Sequence, residues 1–194
     1  MNMRKLVWAI PLALVLLLGS WAWSSYNGLI DREEAVSASW ADVETQYQRR
    51  LDLIPNLVET VKGYAEFEQS TLVGVTEARA AALGALTAAR TGSGLSEVDR
   101  TNTVVTGAVR SLMGYAESYP ELKANQNFID LQNQLEGTEN RIAVARTRYN
   151  EVVQAYNKSI KRFPGNLWAG MLGFEARDYF EAAPEAAAAP EVNF

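Results

Sequence analysis

The strongest constraint on the fold lies between residues 128 and 163. Phe128, Leu131, Leu135, Thr138, Ile142, Ala145, Tyr149, Val152, Tyr156, Ser159 and Phe163 alternate by three and four without a slip. Side chains at that spacing share one face of an α-helix, and a sustained seven-residue period marks helices packed at shallow angles. Asn125 or Asn127 is placed to cap the start, and Pro164-Gly165 stops the run. At 1.5 Å per residue, a helix over 127–163 is about 55 Å long. It needs helical partners of comparable length.

The preceding chain supplies them. Val36, Trp40, Val43 and Tyr47 recur at helical spacing in a first stretch over Tyr26–Leu51. Leu53-Ile54-Pro55 is expected to end it, because a proline cannot donate to the preceding turn but is at home in the first turn of a new helix. A second stretch, alanine-rich in its later half, is expected from Pro55 to Ala89. Thr91-Gly92-Ser93-Gly94 then reads as a turn. A third runs from Asp99 to Ser118, ending at Tyr119-Pro120. The expected fold is all-α: an elongated antiparallel bundle of about four helices with an N-terminal transmembrane helix. The tail from Arg177, RDYFEAAPEAAAAPEVNF, is expected to be flexible.

The N-terminal membrane helix is read from Leu6 to Trp23, LVWAIPLALVLLLGSWAW, which contains no charge. As a helix it spans about 27 Å, against roughly 30 Å of hydrocarbon. Arg4 and Lys5 precede it, and Trp21, Trp23 and Tyr26 follow, where amphipathic rings favour the headgroup zone. The charge pattern puts the N-terminus in the cytoplasm and the main domain outside, in a single pass through a bacterial inner membrane. Pro11 and Ser20 weaken the span, though a membrane helix tolerates proline. The rival is a cleaved signal peptide, with Ala22-Trp23-Ser24 offering the small residues a peptidase reads. The expected domains are 1–25 as anchor, 26–176 as an extracytoplasmic helical bundle and 177–194 as tail.

Composition removes most chemistry. The chain has no cysteine and no histidine, which eliminates disulfides, thiolate nucleophiles, histidine bases and nearly all zinc sites. The net charge of -5 makes it a poor nucleic-acid binder. Glu136 with Glu139, and Glu117 with Glu121, have spacings common on solvated helices and carry no catalytic signal. No Gly-rich phosphate loop follows a strand. The expectation is a protein with no catalytic residues, cofactor or metal, whose partners are membrane lipid and another membrane protein or a second copy.

Two clusters stand out as contact candidates. Leu167, Trp168, Met171, Leu172 and Phe174 follow the stop at Pro164 and gather large apolar side chains on the side to which the last long helix returns. They read as a membrane or partner contact, or as a cap tucked into the bundle. Arg49, Arg50, Asp52 and Asn56 meet at the expected first turn and read as a polar contact at the bundle's far tip, or as helix capping. The pairs Tyr149-Asn150 and Tyr156-Asn157, one heptad apart, suggest interhelical hydrogen bonding.

Several longer motifs carry a resemblance. Arg49-Arg50-Leu51-Asp52-Leu53-Ile54-Pro55-Asn56-Leu57-Val58, Tyr119-Pro120-Glu121-Leu122-Lys123-Ala124-Asn125 and Leu135-Glu136-Gly137-Thr138-Glu139-Asn140-Arg141-Ile142, with Tyr149-Asn150, Tyr156-Asn157, Phe163-Pro164, Gly173-Phe174 and Tyr179-Phe180, resemble the LemA family of bacterial membrane-anchored helical proteins. The resemblance implies a membrane segment, an extracytoplasmic helical domain and no established catalysis. Phe67 departs from the histidine relatives often carry there. Taken together, the expected role is a non-catalytic membrane-anchored scaffold or adaptor, with an envelope sensor of a lipid or small ligand as the alternative.

Overall fold

The computed structural model describes residues 3–63, 69–90, 94–116 and 118–181. Among them the regular structure is all helical: α1 (Met3–Lys62), α2 (Gln69–Ala89), α3 (Leu95–Ala116), α4 (Pro120–Lys123), α5 (Gln126–Lys161) and α6 (Gly165–Leu172). The chain divides into two compact units. One takes in the chain up to Ala38 together with Glu151–Arg177, and the other takes in Ser39–Asn150 and the chain from Asp178 onward. Phe67 and the tail beyond Glu181 lie outside the described residues.

In the second unit four helices each bury one stripe. Val43, Tyr47, Leu51, Ile54, Leu57 and Val61 come from α1, and Val75, Ala82 and Leu86 from α2. Val98, Val105 and Leu112 come from α3, and Phe128, Leu135 and Ile142 from α5. Arg79 reaches Leu51 while Arg90 reaches Glu44, so α2 runs antiparallel to α1. Arg50 pairs with Glu139 and Trp40 packs on Tyr149, so α5 also runs antiparallel to α1.

Pro55 does not break the chain as expected. Helix α1 continues through it to Lys62, so the first connection falls after Lys62 and Asp52–Asn56 is helix interior. A proline at 55 withholds the amide that would bond the Leu51 carbonyl, and a mid-helix proline normally costs about 3 kcal/mol. Here the Nε of Arg79 donates to the Leu51 carbonyl oxygen at 2.9 Å. A side chain from α2 satisfies the acceptor that the proline orphans. Asp52, 3.9 Å away, helps hold that guanidinium.

The seven-residue period of α5 holds and then drifts. Phe128, Leu131, Leu135, Thr138, Ile142, Tyr149 and Tyr156 are buried. Val152 and Ser159 are only half-buried, Phe163 is exposed, and Val153 and Ile160 take the inward places. A straight helix turns every 3.6 residues and gains about 20° per heptad on a strict seven-residue repeat. Over five heptads that amounts to one residue position, which is the shift observed.

Among the described residues one helical stretch, Thr71–Ala89 in α2, is long and apolar enough by length and composition to cross a membrane, with a mean hydropathy of 1.2. Its apolarity comes from Leu72, Val73, Val75, Leu83 and Leu86 together with seven alanines, of which Ala78, Ala82, Ala85 and Ala89 are buried. It also carries Glu77 and Arg79, and it packs on α3. Those features fit a core helix that lets neighbouring backbones approach closely.

The proline repair is testable by a double-mutant cycle. Arg79→Ala alone should destabilise the domain by about 1–3 kcal/mol, because a buried carbonyl loses its partner. In a Pro55→Ala background the restored amide takes over, and the same change should cost about 1 kcal/mol less. Equal costs in both backgrounds by chemical denaturation would show that Arg79 does not act on Leu51.

Candidate functional site: an uncovered apolar surface and a buried arginine

In the first unit α1 emerges bare. Leu12, Leu14, Val15, Leu16, Leu17 and Leu18 are all exposed, with Leu17 at 69% and Leu18 at 54%. Five consecutive residues cover more than one full turn, so α1 is apolar and uncovered on every side. The first buried side chain described along the chain is Leu29. Leu6 to Ile10, the start of the expected span, are helical, but their side chains lie outside the described residues.

The expected contact segment forms α6 and sits in this same unit. Gly165 enters it where only glycine fits, since a Cβ there would fall 2.1 Å from the Ser159 carbonyl oxygen. Gly173 ends it in the left-handed conformation with φ of 76° and returns its amide to Ala169. The helix has two faces. Leu167, Met171 and Leu172 are exposed, Met171 at 76%. Trp168 is half-buried with its indole Nε1 enclosed, and Phe174 is half-buried edge-on to Tyr26. Burial therefore divides the five residues. Trp168 and Phe174 hold α6 in place, and Leu167, Met171 and Leu172 point away. Phe163, which sequence reasoning left out of the set, is 71% exposed and lies against Trp21 with ring centroids 5.8 Å apart and the rings tilted by 38°. That ring pair joins the two apolar surfaces into one.

An extended segment after α6 is pinned by the asparagines. In the first unit, Asn157 donates to the Arg177 carbonyl and accepts from the Arg177 amide, at 2.8 and 2.9 Å. Tyr156 donates its hydroxyl to the Glu175 carbonyl, and Arg177 pairs with Glu33 at 3.0 Å. In the second unit Asn150 treats Phe180 identically, at 2.8 and 2.9 Å. Phe180 is stacked on Trp40, edge-on to Tyr149 and under the Arg146 guanidinium. Residues 177–181 are thus fixed rather than part of a free tail. The asparagines of the Tyr-Asn repeats bond this segment, as does the Tyr156 hydroxyl, while Tyr149 also packs edge-on to Trp40 of α1. An aromatic pair, Tyr179-Phe180, beside an alanine-rich tail was the available signal.

The four polar candidates are separated. Arg49, Asp52 and Asn56 are exposed and line one shallow groove with Glu44 and Arg90. Arg50 faces the other way. It is 3% exposed and lies between helices, donating to Glu139 at 2.8 Å and to Asn102 at 3.0 Å. Burial pulls its pKa down and Glu139 opposes that shift. A charge removed from water is retained only when paired this way. Arg50 therefore ties α1 to α3 and α5 within the second unit. One turn earlier, burial pushes the Tyr47 phenol up to about 12, with Arg146 pulling it the other way.

The fold and these motifs define a class of helical protein in which an uncovered apolar stretch precedes a packed helical core. Residues 39–194 match the LemA family, and the chain belongs to it. It is 25% identical over 178 residues to magnetosome protein MamQ 2 of Paramagnetospirillum magneticum, covering 82% of this chain and 65% of that protein. It is 24% identical to MamQ of Magnetospirillum gryphiswaldense, with the same coverage. Protein LemA of Metamycoplasma hominis is 25% identical over 160 residues, covering 79% of this chain and 67% of that one. The chain thus spans just under two thirds of the length of the magnetosome relatives.

The raised Tyr47 pKa gives a signed prediction. Between pH 10 and 12 the unfolded tyrosine ionises while the folded one keeps its proton, so its contribution is fully present below pH 10 and lost as pH rises. Relative to Tyr47→Phe, the native chain should lose about 2 kcal/mol across that range. Parallel pH–stability curves for the two proteins would contradict the burial of this hydroxyl.

Proposed function

We propose that this chain is a non-catalytic scaffold or adaptor anchored in a bacterial inner membrane. In this reading α1 makes a single pass through its first two dozen residues, with the N-terminus cytoplasmic and the helical domain outside. That domain runs from about Tyr26 to Glu181, which moves the start of the tail beyond the pinned segment. The exposed face of α6, with Phe163, rests on lipid or on the membrane part of a partner protein.

One observation carries this reading: α1 is apolar and uncovered on all sides through Leu12–Leu18, and the exposed residues of α6 adjoin it through Trp21 and Phe163. A helix hydrophobic all round is stable only where no water reaches it, and monomeric proteins rarely leave so large an apolar patch in solvent. Tryptophan and lysine or arginine at the ends of such a stretch suit the headgroup zone. Membership in the LemA family and likeness to proteins named for the magnetosome support a place at a membrane. Neither of those names is an enzyme's, and a chain without histidine or cysteine has few ways to build a nucleophile and its base. A scaffold needs rigid faces, and the Arg50 pairings and the pinned segment provide rigidity.

Met171→Ser with Leu172→Ser tests the contact. Both side chains are exposed, so unfolding should shift by about 0.5 kcal/mol or less. Photo-crosslinking in native membranes from a probe at Leu167 should fall sharply in the double variant. Undiminished crosslinks to lipid and protein alike would remove α6 from the contact surface.

A further inference from the structure

The first unit holds a groove of about 540 Å³ between the two chain segments that build it. Arg32 of α1 and Lys158 and Arg162 at the end of α5 line it, together with the hydroxyl residues Ser24, Ser25 and Ser159. No aspartate or glutamate does. The three cations are exposed, and among the described residues none of them forms an ion pair. This contrasts with Arg177 of the same unit, which is paired with Glu33. Cations late in a helix favour its C-terminal dipole, and that accounts for Lys158 and Arg162. It does not account for Arg32 in the interior of α1, whose guanidinium donates to the Gly28 carbonyl at 3.4 Å and lines the same groove. The groove's wall also includes Phe163 and Pro164. Phe163 is the residue whose ring meets that of Trp21 and continues into the exposed apolar surface. A water-facing basic groove thus shares an edge with a surface that water should not touch.

We propose that this groove binds the phosphate of an anionic membrane lipid, with the acyl chains lying along Trp21, Phe163 and the bare part of α1. The inference rests on the anchored reading above and deepens it by naming a ligand class and its site. A phosphodiester offers two charged oxygens to a pair of guanidiniums and an ammonium, and the hydroxyls of Ser24 and Ser25 can donate to the remaining lone pairs, that of Ser159 being already given to the Tyr156 carbonyl at 2.7 Å. Free phosphate would satisfy the cations equally well, but it would leave the adjoining rings and leucines uncovered. Only an amphiphile covers both halves. Basic residues next to a membrane surface are each worth roughly a fivefold gain in affinity for anionic lipid, so three together give on the order of a hundredfold before geometric losses.

The test uses the full chain in nanodiscs of mixed phosphatidylglycerol and phosphatidylcholine, with native mass spectrometry to read which lipid stays on the released protein. Phosphatidylglycerol should be retained over phosphatidylcholine by about tenfold or more. Arg32→Gln, Lys158→Gln and Arg162→Gln together should abolish the preference while circular dichroism stays unchanged. A charge-matched control, Arg110→Gln, Arg141→Gln and Arg148→Gln on exposed positions of the second unit, should leave it intact. Equal retention of the two lipids, or a loss shared by both triple variants, would overturn the groove as a site. Competition by millimolar inorganic phosphate that strips the lipid would reassign it to a soluble anion and overturn the lipid assignment. A chain that enters nanodiscs and shows no preference sinks the groove alone. A chain that fails to enter them sinks the anchored reading and the groove with it.

Discussion

Apolar surface with nothing over it is the constraint from which the account of this protein follows. Leu12, Leu14, Val15, Leu16, Leu17 and Leu18 point in every direction from α1, and all of them are exposed among the described residues. At about 25 cal/mol for each Å² kept from water, six such side chains represent several kcal/mol. In the proposed anchored reading hydrocarbon recovers it, and the residues adjoining that stretch fit the same boundary. Trp21 and Phe163 meet at its edge, α6 turns Leu167, Met171 and Leu172 outward, and Arg32, Lys158 and Arg162 open onto the polar side.

The second unit solves a different problem, that of pairing buried charges across elements, although some enclosed polar atoms, such as Ser39 Oγ and Arg50 Nε, keep no hydrogen-bond partner among the described residues. Arg50 is enclosed yet meets Glu139 and Asn102. The carbonyl orphaned by Pro55 is taken by Arg79. Arg146 bonds Asp99 and the Glu181 carbonyl while lying over the ring of Phe180. Burial raises the Asp99 pKa, and Arg146 opposes that shift. Each arginine here acts between elements, which is the use to which a planar, multiply donating group is best suited.

Much of this was legible in the sequence because it is periodic. The seven-residue run gave α5 almost to the residue, and the spacing of Val36, Trp40, Val43 and Tyr47 gave the inward face of α1. Local rules failed where a distant side chain changed their outcome. Pro55 reads as a stop until Arg79, far along the chain, is seen to replace the missing donor. Arg50 reads as a turn residue for the same reason. The segment 177–181 has no period at all, because asparagine side chains hold its backbone rather than its side chains. The division of α6 into a holding face and a free face was equally hidden, since Trp168 and Met171 look alike in composition and differ only in what surrounds them.

The most direct measurement is the depth of single tryptophans by quenching with brominated lipids. Variants retaining only Trp23, only Trp168 or only Trp40 would be reconstituted into vesicles carrying bromines at defined acyl positions. The account predicts strong quenching of Trp23, and quenching of Trp168 by bromines near the headgroup only. It predicts no quenching of Trp40, which is enclosed with Tyr149 and Phe180 in the second unit. Quenching profiles for Trp23 and Trp168 as flat as that of Trp40 would place the uncovered apolar surface outside the bilayer and contradict the account.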